Sequence, residues 1–218
     1  MITGHFGIAG IVRSLAREKM STGLTVAFGL ASLAPDIMDG VLFAFGICNP
    51  YGLYSHTVHA VVLQAAVIAG AAYLGTGSRV AAVSFAAIVL LHIPADALTG
   101  RKLLLPGGEM LGLLLYERPL YDFLLEVPTA ALGWWMLRRS GTAPRWATSV
   151  GVLILALGVQ AAFDISAVSP GRIKPNACFA NADAGVSAAP RRVDRRDGAM
   201  LAANTRRDNG HNAVYLNR

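Results

Sequence analysis

The sequence predicts an all-α fold, a polytopic helical membrane protein of about six helices followed by a disordered tail. Three observations carry this. Of its 218 residues, 54% are hydrophobic and only 15% charged, where a soluble domain is nearer a quarter charged. Mean hydropathy is +0.49. The apolar residues also come in blocks: 58–74 has no charged residue, 80–95 has His92 as its one ionisable group, and 146–163 has none. A helix needs about 20 mostly apolar residues to cross a bilayer. The alternation of a transmembrane barrel is missing.

The elements follow in order. A first helix is predicted over about 4–16 and a second over about 22–35, joined by the polar turn "REKMST". Both are short for a full span and read as a hairpin of tilted or half-depth helices. Small residues recur along them (Gly4, Gly7, Gly10; Gly23, Ala27, Ala31) and permit close helix contact. Pro35 favours a helix break just before Asp36. A short apolar piece, 41–46, comes next. Further helices are predicted over about 56–74, ended by "GTGS", and about 80–98, ended by Gly100. The loop "GRKLLLPGGEMLGLLLYERP" leads to a helix over about 120–137. "RRSGTAPR" then links to the last helix, about 146–168. Residues 1–168 form the helical membrane domain.

From residue 169 the chain is rich in Ala, Asn, Arg and Gly and carries nine Lys/Arg against four Asp. Most of the formal net charge of +6 therefore belongs to this segment. It cannot bury enough apolar surface to offset chain entropy, so 169–218 reads as a disordered basic tail. With Phe179 and Tyr215 as its aromatics and no folded motif, it does not support nucleic-acid binding. Membrane lipids are the expected surroundings. The two cysteines, Cys48 and Cys178, form no framework and read as unrelated thiols. No cleavable signal stands out.

Tracing the helices back and forth sorts the polar residues. Arg13, Arg17, Lys19, Arg79, Arg138, Arg139 and Arg145 fall at one end. His5, Asp36, Asp39, His56, His59, His92, Asp96, Asp122, Glu126 and Asp164 fall at the other, with Arg101, Lys102 and Arg118 in its long loop. The positive-inside rule makes the Arg-rich end cytoplasmic.

A carboxylate at membrane depth is costly unless it is paired, binds a metal or faces water. His92 and Asp96 are four apart and share a helix face. Asp36 and Asp39 are three apart, as are His56 and His59. Mixed N/O donors of this kind suit a divalent metal ion such as Zn²⁺, Mn²⁺ or Fe²⁺. No cysteine joins the set, which argues against a closed structural zinc site. The expected metal ligands are Asp36, Asp39, His56, His92 and Asp96. His5 or Glu126 would be the base. His59 reads as a bundle residue, Asp122 as solvated and loop-facing, and Asp164 as an interfacial charge. A transporter or ion relay using the same groups stays open, as does a non-catalytic protein whose polar cluster locks the fold.

The motifs "GHFG", "PDIMD", "YSHT" and "LHIPAD" resemble those of predicted membrane-bound metal-dependent hydrolases, the YdjM-like group, over about residues 4–137. The part after residue 106 and Glu126 is similar to related integral membrane proteins. The acidic motif here is Pro-Asp-x-x-Asp rather than the family's Pro-Asp-x-Asp. Tyr51 stands where the family has a first histidine, and Leu91 where it has Ser before His92. The resemblance implies a site of His5, Asp36, Asp39, His56, His92 and Asp96, a location in the bacterial inner membrane, and hydrolysis of a phosphoester or lipid-linked substrate.

Overall fold

The structure is a computed structural model and describes residues 3–168. The expected basic tail lies outside the described residues. The elements belong to one compact unit, Met1–Phe179. They are α1 (Thr3–Ala16), α2 (Thr22–Ser32), α3 (Ala34–Ala44), α4 (Val58–Thr76), α5 (Arg79–Leu90), α6 (His92–Thr99), β1 (Lys102–Leu103), β2 (Met110–Leu111), α7 (Pro119–Ser140) and α8 (Val150–Val168). The all-α expectation holds, with one addition. The long loop carries a minimal antiparallel hairpin that pairs Lys102 with Leu111 and Leu103 with Met110.

Local chemistry sets the ends. Ser21 and Ser78 cap α2 and α5, accepting bonds from the Leu24 and Ala81 amides at 3.2 and 3.1 Å. Gly77 and Gly141 close α4 and α7 in the left-handed conformation. Two predicted helices are broken. The chain bends by 72° at Leu33, between α2 and α3. Pro35 sits in the first turn of α3 and has no amide to continue the α2 ladder. Asp36 and Asp39 therefore lie within a new helix that absorbs the apolar piece 41–46. The second break is at Leu91, between α5 and α6, three residues before Pro94.

Among the described residues, two helical segments are long and apolar enough to cross a membrane, Val58–Thr76 and Arg79–Thr99, and the bent pair α2/α3 makes a third if it counts as one span. The interior is small: Ala9, Phe28, Ala31, Val61, Ala65, Phe85, Ile88 and Val89 form its centre. Phe28 meets Phe85 edge to face at 5.0 Å. Against this, Leu74 is 86% exposed and Phe45 78%. Thr3, His5, Arg13, His56, His92, Asp96, Asp122, Glu126 and Gln160 are buried. Polar side chains lie inside and large apolar ones outside.

The glycines of α1 do what their spacing permits. A Cβ on Gly7 would fall 2.5 Å from the Thr129 carbonyl oxygen, and one on Gly133 only 1.9 Å from that of Gly7. Hence α1 and α7 pack backbone to backbone. Gly23 of α2 has open space around it and makes no such contact. Cys48 corrects an expectation, because it is disulfide-bonded rather than a free thiol. Cys178 lies outside the described residues.

Candidate metal centre

Three elements converge at one end of the bundle. α3 brings Asp36, the turn before α4 brings His56, and α6 brings His92 and Asp96. One ligand atom from each of these four lies within 4.8 Å of all the others. His56 Nε2 is 3.3 Å from Asp36 Oδ1, 3.3 Å from Asp96 Oδ2 and 3.4 Å from His92 Nε2. His92 Nε2 is 3.4 Å from Asp96 Oδ2 and 3.8 Å from Asp36 Oδ1. Donors about 2.0–2.2 Å from a tetrahedral ion would stand roughly 3.3–3.6 Å apart. Four of these five spacings fall in that range, so the group could hold a metal ion.

Hydrogen bonds on the outer side of each ring fix what faces inward. His92 Nδ1 lies 3.0 Å from the Ser32 carbonyl, which only accepts, so Nδ1 carries the proton. The break at Leu33 leaves that carbonyl without an α2 partner and free for this bond. On the other ring, His56 Nδ1 meets Ser55 Oγ at 2.6 Å and Asp39 Oδ2 at 3.4 Å. The Ser55 hydroxyl donates to Asp39 Oδ1 at 2.5 Å, so it accepts from His56 Nδ1. In the neutral form both imidazoles thus turn a bare Nε2 lone pair toward each other and toward two carboxylate oxygens. Four acceptors facing one centre repel unless a cation sits among them. Burial lowers the basicity of His56, but its contacts with Asp36 and Asp96 outweigh this and raise its pKa above the ordinary value. A proton is therefore the metal's competitor at this site.

Access is one-sided. The His56, His92 and Asp96 side chains are buried, while Asp36 is 41% exposed and Asp39 38%. The centre opens along α3.

The residues singled out from the sequence fall into three groups. Asp36, His56, His92 and Asp96 come together. Asp39 stands behind them: bonded to Ser55 and Asn49, it orients the His56 ring. His5 stacks on His92 with ring centres 3.9 Å apart and puts Nε2 3.7 Å from Asp96 Oδ1, so it buttresses the centre from α1. Glu126 is placed elsewhere. Its Oε2 accepts from the amides of Thr3 and Gly4, both at 3.1 Å, at the start of α1. His59 is exposed on α4 and outside the group. Asp122 corrects the expectation of a solvated loop residue: it is 1% exposed and accepts from Gln160 Nε2 at 3.4 Å.

One residue escaped the sequence reading. Lys102 Nζ lies 3.3 Å from Asp96 Oδ2, at the edge of the centre. The hairpin holds it there through two bonds, from the Val58 amide to the Leu104 carbonyl and from the Leu113 amide to the Ala97 carbonyl. Gly112 makes the close approach possible, since a Cβ there would fall 1.8 Å from the Gly100 carbonyl oxygen. No family model matches the sequence, and no curated protein or solved structure matches it.

Proposed function

We propose that the protein is a polytopic membrane protein and a metal-dependent hydrolase, with its centre at one membrane face and a phosphoester or lipid-linked substrate. The inward-facing lone pairs of His56 and His92, set among the oxygens of Asp36 and Asp96, carry this reading. Asp36, His56, His92 and Asp96 would hold a divalent ion, Zn²⁺, Mn²⁺ or Fe²⁺. When bound, such an ion supplies Lewis-acid polarisation of an ester oxygen and acidifies water. The protein's part is to keep the histidine tautomers fixed, through Ser32, Ser55 and Asp39, and to admit substrate along the exposed side of α3. Lys102 places a positive charge where a phosphoryl group would enter. His5 is too enclosed to meet substrate and positions His92 and Asp96. Glu126, engaged with the amides of α1, positions that helix.

Membrane insertion is supported by the two apolar spans and by large apolar side chains facing outward over a polar interior. The clustering of seven basic residues at the end away from the centre makes that end cytoplasmic. The resemblance to YdjM-like inner-membrane hydrolases agrees with this arrangement.

The test is metal content of the detergent-purified protein, wild type beside His92→Ala. About one divalent transition ion per chain, lost in the variant, is expected. A soluble phosphoester such as p-nitrophenyl phosphate then screens for hydrolysis. Folded wild type that stays metal-free after reloading would turn the cluster into a proton relay or a structural lock.

A further inference from the structure

A second feature lies away from the metal centre. A cavity of about 350 Å³ opens between α1, α2, α7 and α8. Its walls are apolar, with Phe6, Phe28, Leu153 and the indoles of Trp134 and Trp146 among them. Among the described residues, the one charged residue in its lining is Arg13, which is 2% exposed.

Arg13 is only partly satisfied. Its Nη2 donates to the carbonyls of Glu18 and of Thr142, the latter at 3.2 Å. Nε and Nη1 have no hydrogen-bond partner. No carboxylate forms an ion pair with Arg13 among the described residues. The nearest acid in sequence, Glu18, is engaged by the Ser78 hydroxyl at 2.9 and 3.1 Å. A guanidinium cannot shed its charge. Buried with two idle donors and no carboxylate at ion-pair distance among the described residues, it is costly unless an anion completes it. A second cation stands at the rim: Arg138 lies over the Trp134 ring, 5.2 Å from its centroid. Arg13 is also one turn from the end of α1, at the Arg-rich end where tryptophans meet headgroups in a membrane.

An apolar slot, a buried guanidinium with two idle donors and flanking indoles together fit an amphiphile with an anionic head. A small free anion would use the cation and leave the slot unused. We propose that the cavity holds an acyl chain of an anionic phospholipid whose phosphate accepts from Arg13 Nε and Nη1. The site is independent of the metal centre and rests on the membrane reading above.

The test uses the full chain, purified from membranes in mild detergent. Phosphatidylglycerol, phosphatidylcholine with the same chains, and inorganic phosphate are titrated separately, and bound mass is read by native mass spectrometry. One phosphatidylglycerol per chain is expected, about tenfold tighter than phosphatidylcholine, since a charge-assisted pair is worth at least that factor. Arg13→Gln should lose that preference. Gly29→Leu leaves Arg13 in place but adds bulk beside Phe6, which a Cβ at Gly29 already approaches to 3.5 Å. It should weaken phosphatidylglycerol by a similar factor and carries the test if Arg13→Gln does not fold. Equal binding of the two lipids, or phosphatidylglycerol binding unchanged by Gly29→Leu, overturns the proposal. So does tight inorganic phosphate binding that Gly29→Leu leaves intact, which would mark a plain anion site. Failure of the membrane reading looks different: the protein would leave the membrane fraction on carbonate washing, before any titration.

Discussion

Two groups of acids meet α1, and they are built differently. In one, Asp36 and Asp96 face the unprotonated nitrogens of His56 and His92, so acceptors outnumber donors. In the other, Asp122, Glu126 and Asp164 each meet a donor: the Thr3 and Gly4 amides serve Glu126, and Gln160 Nε2 serves Asp122 at 3.4 Å and Asp164 at 2.9 Å. A buried carboxylate therefore does not by itself make a cation site. It does so where neighbouring groups add lone pairs, and it anchors a helix where they add N–H groups.

α1 joins the two regions, with His5 on the first and its leading amides on the second. Breaking its seat should damage both, and this is the largest effect expected. In Gly133→Leu the new Cβ would fall 1.9 Å from the Gly7 carbonyl oxygen. No rotamer relieves a clash with backbone, so the cost belongs at the upper end for overpacking, about 3 kcal/mol or more. Thermal unfolding in detergent should show the loss, and metal content should fall with it. A variant that is stable and keeps its metal would mean that α1 does not couple the regions.

Next in size is removal of a ligand. Asp96→Asn keeps the shape of the side chain but removes the charge shared by His56, His92 and Lys102. Metal affinity should fall by more than the roughly 10–100-fold that an outer partner costs. Calorimetric titration of the metal-stripped protein measures it. Unfolding should shift little, because the amide fills the same buried space; a large drop in melting temperature would favour the structural lock.

His92 and Asp96 were legible because they stand four apart on α6, whereas Asp36 and His56 were legible as halves of three-apart pairs whose other members, Asp39 and His59, stay outside the group. Proline marked the break at Leu33. What spacing could not give was the order of shells. Asp36 and Asp39 look equivalent in sequence, yet the turn of α3 brings one to the centre and the other behind the His56 ring. Lys102 was hidden because its hairpin is two residues per strand, with "LLLPGGEML" reading as plain loop. The burial of Asp122 had a signal that was missed. Asp122, Glu126, Ala130 and Gly133 are spaced four, four and three apart, a single stripe of α7, and all four are buried. Read as a stripe, it runs from the carboxyl pair into the glycine contact with α1.

Asp39 offers a smaller test of the first region. Asp39→Asn keeps its size but loses the charge that meets Ser55, Asn49 and the His56 Nδ1 proton. Metal affinity should drop about 10–100-fold, with the ligand set unchanged. Spectra of the cobalt-substituted protein should keep the wild-type coordination pattern. A changed pattern would make Asp39 a ligand itself.

The smallest effect tests the separation of the regions. Glu126→Gln keeps a carbonyl oxygen for the Thr3 and Gly4 amides and replaces the rest of the carboxyl with an amide of the same size. The cost should stay near that of one weakened hydrogen bond, about 1 kcal/mol. Unfolding should shift slightly, and metal affinity should stay within about twofold of wild type, an energy below RT that α1 can absorb without moving His5. The same variant discriminates the base expected from the sequence. If Glu126 accepted a proton from the reacting water, turnover would fall by about 10²–10⁴-fold while metal content stayed full. Small losses in both would leave Glu126 as the anchor of the helix that carries His5 to His92.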